Sequence, residues 1–386
     1  MHYCHYSLVM SAPDDTYAFL AEWYDSNASL IRKYQFIFYC EDGTVEMYDI
    51  KNRRTFLKRT GIDNVRPEHL YIGSTINVLS RQLTLTGYAD QHTANKLSGR
   101  QEKTLAIIKP DGMIRIGEII TTIEKNGFKI CAARMVRLKK NGAEKLYEKH
   151  SRTPFFDDLV QFMCSAQILI LELMAENGVQ KWQELLGPSD PAEAKVHASG
   201  SIRAQFGGCK LRNACHGPDS VTSAREELDL FDSGHVTEST VKCENCTCCV
   251  IKPHAVLAGL IGNIISDISS AGFTISAFQL FSLERASAEE FLEIYKGVMV
   301  EYNQMVMELT AGPCIAIEIT GSPSVAQDFR ELVGPSDPEI GRQLRPHTLR
   351  AKYGKDKIKN AIHCTDLPED GILEVEYFFK ILGLDH

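Results

Sequence analysis

A histidine-centred segment occurs twice in this sequence, and its spacing limits what the chain can fold into. Asn213-Ala-Cys-His216-Gly-Pro-Asp-Ser220 returns as Asn360-Ala-Ile-His363-Cys-Thr-Asp366, 147 positions later. An arginine stands thirteen residues before each histidine (Arg203, Arg350) and a glutamate eleven residues after it (Glu227, Glu374). A histidine that only fills a core needs one partner, not a duplicated polar escort. The two histidines are therefore candidate nucleophiles, and the rest of the chain is expected to position them.

The echo extends beyond the histidines. Ala106-Ile-Ile-Lys109-Pro110 matches Cys249-Val-Ile-Lys252-Pro253, Asn126–Ile130 matches Ala271–Ile275, and Leu186–Pro191 matches Val333–Pro338. The offsets drift between 143 and 147, as two copies of one domain with small loop changes would give. Units of this size are too large for a solenoid. Each copy reads as alternating strands and helices. In the first, strand Thr104–Ile108 stops at Lys109-Pro110, and a helix over 117–126 ends at Gly127. Strands follow at 128–136 and 168–173, with helices at 143–150, 155–163 and 178–186. Strand Asn213–Cys215 runs into His216, and Ser220 is the expected N-cap of a helix reaching Leu228. Asp232–Lys242 is polar and rich in Ser and Thr, the composition of a linker.

Residues 16–100 have a different texture. Gln35–Tyr39, the turn Glu41-Asp42-Gly43 and Thr44–Tyr48 read as a hairpin; 52–58, 70–79 and 82–88 read as further strands. This is enough for a small β-barrel or sandwich. Trp23-Tyr24 and Phe36–Tyr39 read as its core. The basic run from Lys51 to Arg59 suits either a solvated strand face or a docking site for an acidic partner.

The whole chain has 386 residues, 44% hydrophobic and 24% charged, a soluble globular composition with room for two to four domains. A formal charge of −8 argues against nucleic-acid binding by bulk charge. The N-terminal residues lack the pattern of a secretory signal, and no apolar run approaches the roughly 20 residues of a membrane span. Twelve scattered cysteines suit reduced thiols inside a cell. Cys243-Glu-Asn-Cys246 offers two thiolates to zinc, but no second pair completes four ligands. Cys248 and Cys249 are expected to open a buried strand, and no protein-held metal is expected.

Phosphoryl transfer through histidine requires a neutral imidazole nitrogen facing the phosphate, its other nitrogen held by a carboxylate or carbonyl. It also requires Lys and Arg around the phosphate oxygens. The first repeat offers His216, Glu227, Lys109, Arg203, Ser189 and Asn213; the second offers His363, Glu374, Lys252, Arg330, Arg350, Ser336 and Asn360. No GxxxxGK[ST] sequence is present, so a nucleotide would be held differently from P-loop enzymes.

These residues closely resemble the nucleoside diphosphate kinase family. The resemblance is carried by Ile108-Lys109-Pro110-Asp111-Gly112, by Arg203, and by Asn213-x-x-His216-Gly-x-Asp-Ser220 followed by Glu227. It implies a ferredoxin-like α/β sandwich in each repeat and ping-pong phosphate exchange between nucleoside di- and triphosphates, with ATP or GTP as substrates and nucleotide-bound Mg²⁺. It further implies that His216 is the nucleophile and Glu227 its orienting partner. By the same resemblance Lys109, Arg203 and Ser189 contact phosphates, Asn213 meets the sugar, Phe155 stacks on the base and Tyr147 lies near the histidine. Ahead of the repeats, Phe19–Asp25, Tyr34–Tyr39, Asp42–Glu46 and Arg53–Arg59 look like a DM10 domain, a docking module of ciliary and microtubule-associated proteins. The expected organisation is DM10 over 13–101, kinase domains over 102–231 and 247–382, and a linker over 232–246.

Departures from the family divide the two repeats. The first has Gln183 where the family has a second phosphate-binding arginine, Pro218 where it usually has a serine, and about three extra residues between Pro191 and Arg203. The second keeps Arg330 and has Thr365 in the serine position. Its Lys-Pro loop, however, reads His254-Ala255 in place of Asp-Gly, and it has no clear base-stacking ring, although Tyr302 is nearby. Domain one is expected to be the better nucleotide site. Two functional classes remain. One is a kinase docked on microtubule structures, with tubulin, microtubules and γ-tubulin complexes as partners, located in cytoplasm and cytoskeleton at the axoneme of the cilium or flagellum, the centrosome or the spindle. The other is a structural microtubule protein, such as an inner protein of cilia, that uses the repeats as scaffolds. Neither membrane nor nucleic acid is an expected partner, and a monomeric pseudo-dimer is the expected assembly.

Overall fold

The computed structural model describes residues 16–25, 28, 30–62, 65–67, 70–72, 74–79, 81–97, 101–232 and 234–384. They form two compact units: an N-terminal sheet together with the short segments Ser282–Glu289 and Leu309–Gly312, and a larger unit that carries both repeats. The first residues of the expected 13–101 domain, 13–15, lie outside the described residues.

The N-terminal sheet has six strands: β1 (Thr16–Asp25), β2 (Leu30–Tyr39), β3 (Thr44–Asp49), β4 (Arg54–Gly61), β5 (Thr75–Val78) and β6 (Arg81–Tyr88). Their order is β4-β3-β2-β1-β6-β5, every neighbouring pair antiparallel. Alternate residues of β2 and β3 point inward, so Tyr34, Phe36, Phe38, Val45 and Met47 are buried. Helix Gln91–Leu97 closes the unit, with buried Thr93 Oγ1 accepting the Ala18 N–H at 2.8 Å. Phe36 and Phe38 are core, as their sequence context suggests, but Tyr24 is 55% exposed. Its place in the alternating pattern of β1 directs it outward.

The larger unit contains one continuous sheet. The first repeat supplies β7 (Gln101–Ile108), β8 (Lys129–Leu138), β9 (Gln167–Glu176) and β10 (Cys215–His216). After β11 (Thr237–Ser239), the second supplies β12 (Cys246–Ile251), β13 (Thr274–Phe281), β14 (Cys314–Thr320) and β15 (Ile362–Cys364). The order β10-β7-β9-β8-β13-β14-β12-β15 is a pseudo-twofold arrangement, with equivalent strands β8 and β13 joining edge to edge at Arg134 and Gln279. Helices Ile116–Lys125 and Ile261–Ser270 pack together across the same joint. A methyl group on Gly117 would stand 2.4 Å from Ser266 Oγ, and one on Gly262 2.2 Å from the Thr121 nitrogen, so both positions need glycine for close approach. Glu124 then accepts the Ile261 and Gly262 N–H groups at 3.1 and 2.9 Å, filling the open donors of the neighbouring helix. One apolar cluster runs through both repeats, from Ile108, Ile120 and Leu171 to Ile251, Ile265 and Ile317.

The polar segment expected as a linker is partly ordered into the sheet. β11 pairs with β8 from Thr237–Leu138 to Ser239–Val136, and Val236 is buried. The Lys242 and Cys243 N–H groups end on the carboxylate of Glu318, which also accepts from Ser276 Oγ at 2.6 Å. Buried hydrogen-bonding groups need partners, and this glutamate finds them in the segment's main chain. Cys248 and Cys249 lie in β12, fully buried.

Candidate active site

His216 is delivered by β10, which pairs with β7 (Cys215 with Ile108, His216 with Ile107). Just before it, Ala214 adopts φ 67°, a left-handed conformation that costs a non-glycine residue energy and needs external support. The Lys109–Gly112 loop provides that support. Asp111 Oδ2 accepts the Ala214 N–H at 2.9 Å, and the Lys109 N–H donates to the Ala214 carbonyl at 2.8 Å. A side chain on Gly112 would meet that carbonyl at 2.6 Å, so the Asp-Gly pair is what allows the loop to lie under Ala214 and His216.

His216 Nε2 lies 2.8 Å from Glu227 Oε2. An ionised carboxylate only accepts, so Nε2 carries the proton and Nδ1 keeps its lone pair. Glu227 sits on helix Val221–Asp232, whose first turn is capped by Ser220 Oγ accepting from the Ser223 N–H at 3.1 Å. Tyr147 meets the imidazole edge-on, ring centroids 5.4 Å apart. A path of rings continues through His150 to Phe155, which is 49% exposed.

Two buried cations flank this imidazole. Lys109 Nζ donates to Asn213 Oδ1 at 2.8 Å, while Asn213 Nδ2 donates to the carbonyl of exposed Ser189 at 3.0 Å. Arg203 donates to the carbonyls of Gly187 and Cys215 at 2.8 and 3.3 Å. These acceptors are neutral, so neither cation is hydrogen-bonded to a carboxylate among the described residues. Burial, and then the neighbouring Arg203, push the Lys109 amine down to about 8. Burial also lowers Arg203. At the family's second-arginine position, Gln183 Nε2 donates to the Gly217 and Pro218 carbonyls at 2.9 and 2.6 Å, bracing the turn after the histidine.

The second repeat rebuilds the same frame with altered parts. β15 presents His363, Ala361 has φ 69°, and His363 Nε2 lies 3.0 Å from Glu374 Oε2. Thr365 Oγ1 also donates to Glu374, at 2.8 Å, and accepts the Cys248 N–H at 3.0 Å. Arg350 donates to the Ile362 and Gly334 carbonyls at 2.9 and 3.0 Å, and Asn360 Nδ2 donates to the Ser336 carbonyl at 3.0 Å. Lys252, also lowered to about 8 by burial and by Arg350, turns to the Ile358 carbonyl at 3.0 Å, leaving Asn360 Oδ1 buried without a partner. Arg330 is tied to Asp366 through the carbonyl and, at 3.4 Å, the carboxylate. The ring against the histidine is Phe291, with centroids 4.9 Å apart. Tyr302 is a buried core ring, only 9% exposed.

The structure thus gathers His216, Glu227, Lys109, Arg203, Asn213 and Tyr147 around one imidazole, and His363, Glu374, Lys252, Arg350, Asn360 and Thr365 around the other. Phe155, Ser189, Ser336 and Arg330 lie nearer the surface on the same loops and helices. Sequence reasoning passed over Asp111 as a support for Ala214, although it lies inside the quoted motif. It also missed the His254 pairing, for which His254 Nδ1 lies 2.6 Å from Glu308 Oε1 in the core of the second repeat.

Comparison with known proteins places the chain. The family model described as nucleoside diphosphate kinase matches residues 102–235 and again 245–382. The chain belongs to the nucleoside diphosphate kinase family, as two kinase-type α/β domains behind an N-terminal domain. That first domain, expected as DM10, matches over residues 11–99 a model described as the nucleoside diphosphate kinase 7 N-terminal PH domain. Among individual proteins, Nucleoside diphosphate kinase homolog 7 of Mus musculus is 52% identical over 371 residues, covering 95% of this chain and 94% of that protein. Nucleoside diphosphate kinase of a Nitratiruptor species is 46% identical over 132 residues, 34% of this chain and 94% of its own.

Proposed function

We propose that the chain is a nucleoside diphosphate kinase that moves the γ-phosphate of a nucleoside triphosphate to a diphosphate through phosphohistidine at His216 and also at His363. The observation that carries this reading is the histidine whose Nε2 is held by a glutamate while buried Lys and Arg stand beside it, built twice. The Nδ1 lone pair attacks the γ-phosphorus, the bond to the bridging oxygen breaks, and its electrons leave on the diphosphate. Positive charge that develops on the imidazole is balanced by Glu227 or Glu374, and a second diphosphate then takes the phosphoryl group back from nitrogen. Lys109 with Arg203, and Lys252 with Arg350 and Arg330, hold the phosphate oxygens. Asn213 and Asn360 hold the sugar side, Ser189, Ser336 and Thr365 add polar contacts, and Phe155 offers the base a face.

Among the described residues no cluster of three His, Cys, Asp or Glu side chains would cage a metal, so Mg²⁺ would be carried on the nucleotide phosphates, where it neutralises charge. Acid-labile labelling with γ-³²P-ATP tests the reading. His216→Ala and His363→Ala should each remove one labelled peptide, and the double variant should remove all label. A wild-type chain that takes no label and passes none to GDP would refute it.

The docking half of the proposal places the enzyme on microtubule structures of the cilium or flagellum axoneme, centrosome or spindle, with tubulin and γ-tubulin assemblies as partners. It is supported by family resemblance and by β4, an exposed edge strand in a run from Lys51 to Arg59 that holds five cations and no carboxylate. Arg54→Glu with Lys58→Glu in the full chain should weaken co-sedimentation with microtubules in a salt-dependent way; unchanged sedimentation would remove β4 from the docking role. The edge-to-edge joint of β8 and β13 supports a monomeric pseudo-dimer, to be checked by mass measurement in solution. If labelling fails while sedimentation persists, the scaffold reading replaces the kinase reading.

A further inference from the structure

The Lys-Pro loops of the two sites differ by a paired exchange between distant segments. In the first repeat the loop carries Asp111, and the helix Phe156–Cys164 carries Phe162, 8% exposed. In the second the loop carries His254, and the equivalent helix Tyr302–Leu309 carries Glu308, 5% exposed. Phe162 and Glu308 each stand ten residues before matching strand glutamates, Glu172 and Glu318. Where the loop has a carboxylate the helix has an apolar ring; where the loop has an imidazole the helix has the carboxylate.

The contacts explain why both changes belong together. Glu308 Oε1 accepts twice from one residue, from the His254 N–H at 3.2 Å and from His254 Nδ1 at 2.6 Å. A buried histidine beside an apolar helix, or a buried glutamate beside an aspartate, would leave an uncompensated polar or charged group. The exchanged pair gives the carboxylate and Nδ1 each other as partners, while His254 Nε2 stays buried without one. The His254 main chain held in this way lies two residues after Lys252, whose N–H donates to the Ala361 carbonyl at 2.8 Å. The loop therefore keeps its seat under the strained Ala361 and His363 without an Asp111 equivalent.

We propose that Glu308, acting through His254, is a positioning residue of the second site, supplying to the Lys252 loop the carboxylate that Asp111 supplies to the Lys109 loop. This rests on reading the second site as a nucleoside-phosphate site. The pair fixes the loop's main chain and keeps a negative charge near the buried Lys252, so the amine meets the phosphate protonated. Neither residue touches the reacting atoms. Burial, and then Arg350, favour loss of the Lys252 proton; Glu308, with Asp356 and Cys364 after it, opposes that loss, as Asp111 does for Lys109.

The test uses the full chain with His216→Ala, so that only His363 takes label. Two readouts are needed: the labelling rate with γ-³²P-ATP, and the pH midpoint of Lys252 acetylation by acetic anhydride, read by mass spectrometry without turnover. Glu308→Gln, which keeps shape but loses charge, should slow labelling about tenfold and move the acetylation midpoint to lower pH. Replacing both partners by those of the first repeat, His254→Asp with Glu308→Phe, should return labelling to within about threefold of the parent. An unchanged acetylation midpoint in Glu308→Gln, with the thermal transition intact, overturns the proposal. If the parent takes no label, the kinase reading of the second site fails, and the midpoint alone still decides the role of Glu308.

Discussion

The two repeats hold their histidines alike and the buried cations around them differently. In both, a left-handed alanine precedes the histidine strand, a glutamate takes Nε2, and an arginine is pinned to two carbonyls. These shared parts are geometric: they fix where the imidazole points. The parts that differ set charge. The first site has Lys109 on Asn213 and an uncharged Gln183; the second has Lys252 on a main-chain carbonyl and a charged Arg330. Between the copies the cations are redistributed while the histidine keeps its place. Packing follows the same rule. A side chain on Gly217 would stand 2.1 Å from Trp182 Nε1, whereas in the second repeat Cys364 fits because Phe329 replaces that tryptophan.

The largest expected break in the comparison is at the buried lysines. Lys109→Met should reduce labelling of His216, and Lys252→Met that of His363, by about a hundredfold, since a charged hydrogen bond is worth about 1.5–3 kcal/mol and an unpaired phosphate adds to the loss. A site whose labelling survives does not use its lysine on phosphate. Both amines lie near 8, below their ordinary 10.5, so they are charged at pH 7 and lose their protons as pH rises through about 8. ADP affinity, followed by calorimetry, should therefore fall across that window in both sites.

A smaller effect is expected from trading the outer groups. Gln183→Arg should speed labelling of His216 about tenfold, and Arg330→Gln should slow that of His363 by a similar factor, each reading the value of one added or lost charged contact. Rates that move the same way in both variants would show that this position braces the turn rather than meeting phosphate. The smallest effect concerns the helices that carry the glutamates. Ser220→Ala removes an N-cap and should cost about 1 kcal/mol in denaturant unfolding. Leu367 stands at the equivalent place in the second repeat, and Leu367→Ala should cost less because the side chain is apolar and 52% exposed.

Much of this architecture could be read from local signals. The apolar run Leu105–Ile108 lies in β7, the amphipathic stretch ending at Gly127 forms a helix, and the His-to-Glu spacing becomes a hydrogen bond in each site. What stayed hidden depends on partners far away in sequence. The Thr237–Ser239 strand is polar and gains its conformation from β8, so its composition suggests a linker. His254 and Glu308 are separated by 54 positions and have no local pattern that joins them. The rotation of Lys252 away from Asn360 is likewise a tertiary choice, since the same two residue types pair in the first repeat. Tyr24 faces outward although its aromatic character suggests burial, because strand alternation decides the face.

The joint between β8 and β13 has a further consequence. One apolar cluster threads both repeats, so on that side of the sheet the interior of each half continues into the other. Melting is then expected to be a single event, and a ligand that binds either histidine site strengthens the pair as a whole. Such a chain has reason to keep the interior of each copy whatever its histidine does, because each copy completes the shared cluster of the other.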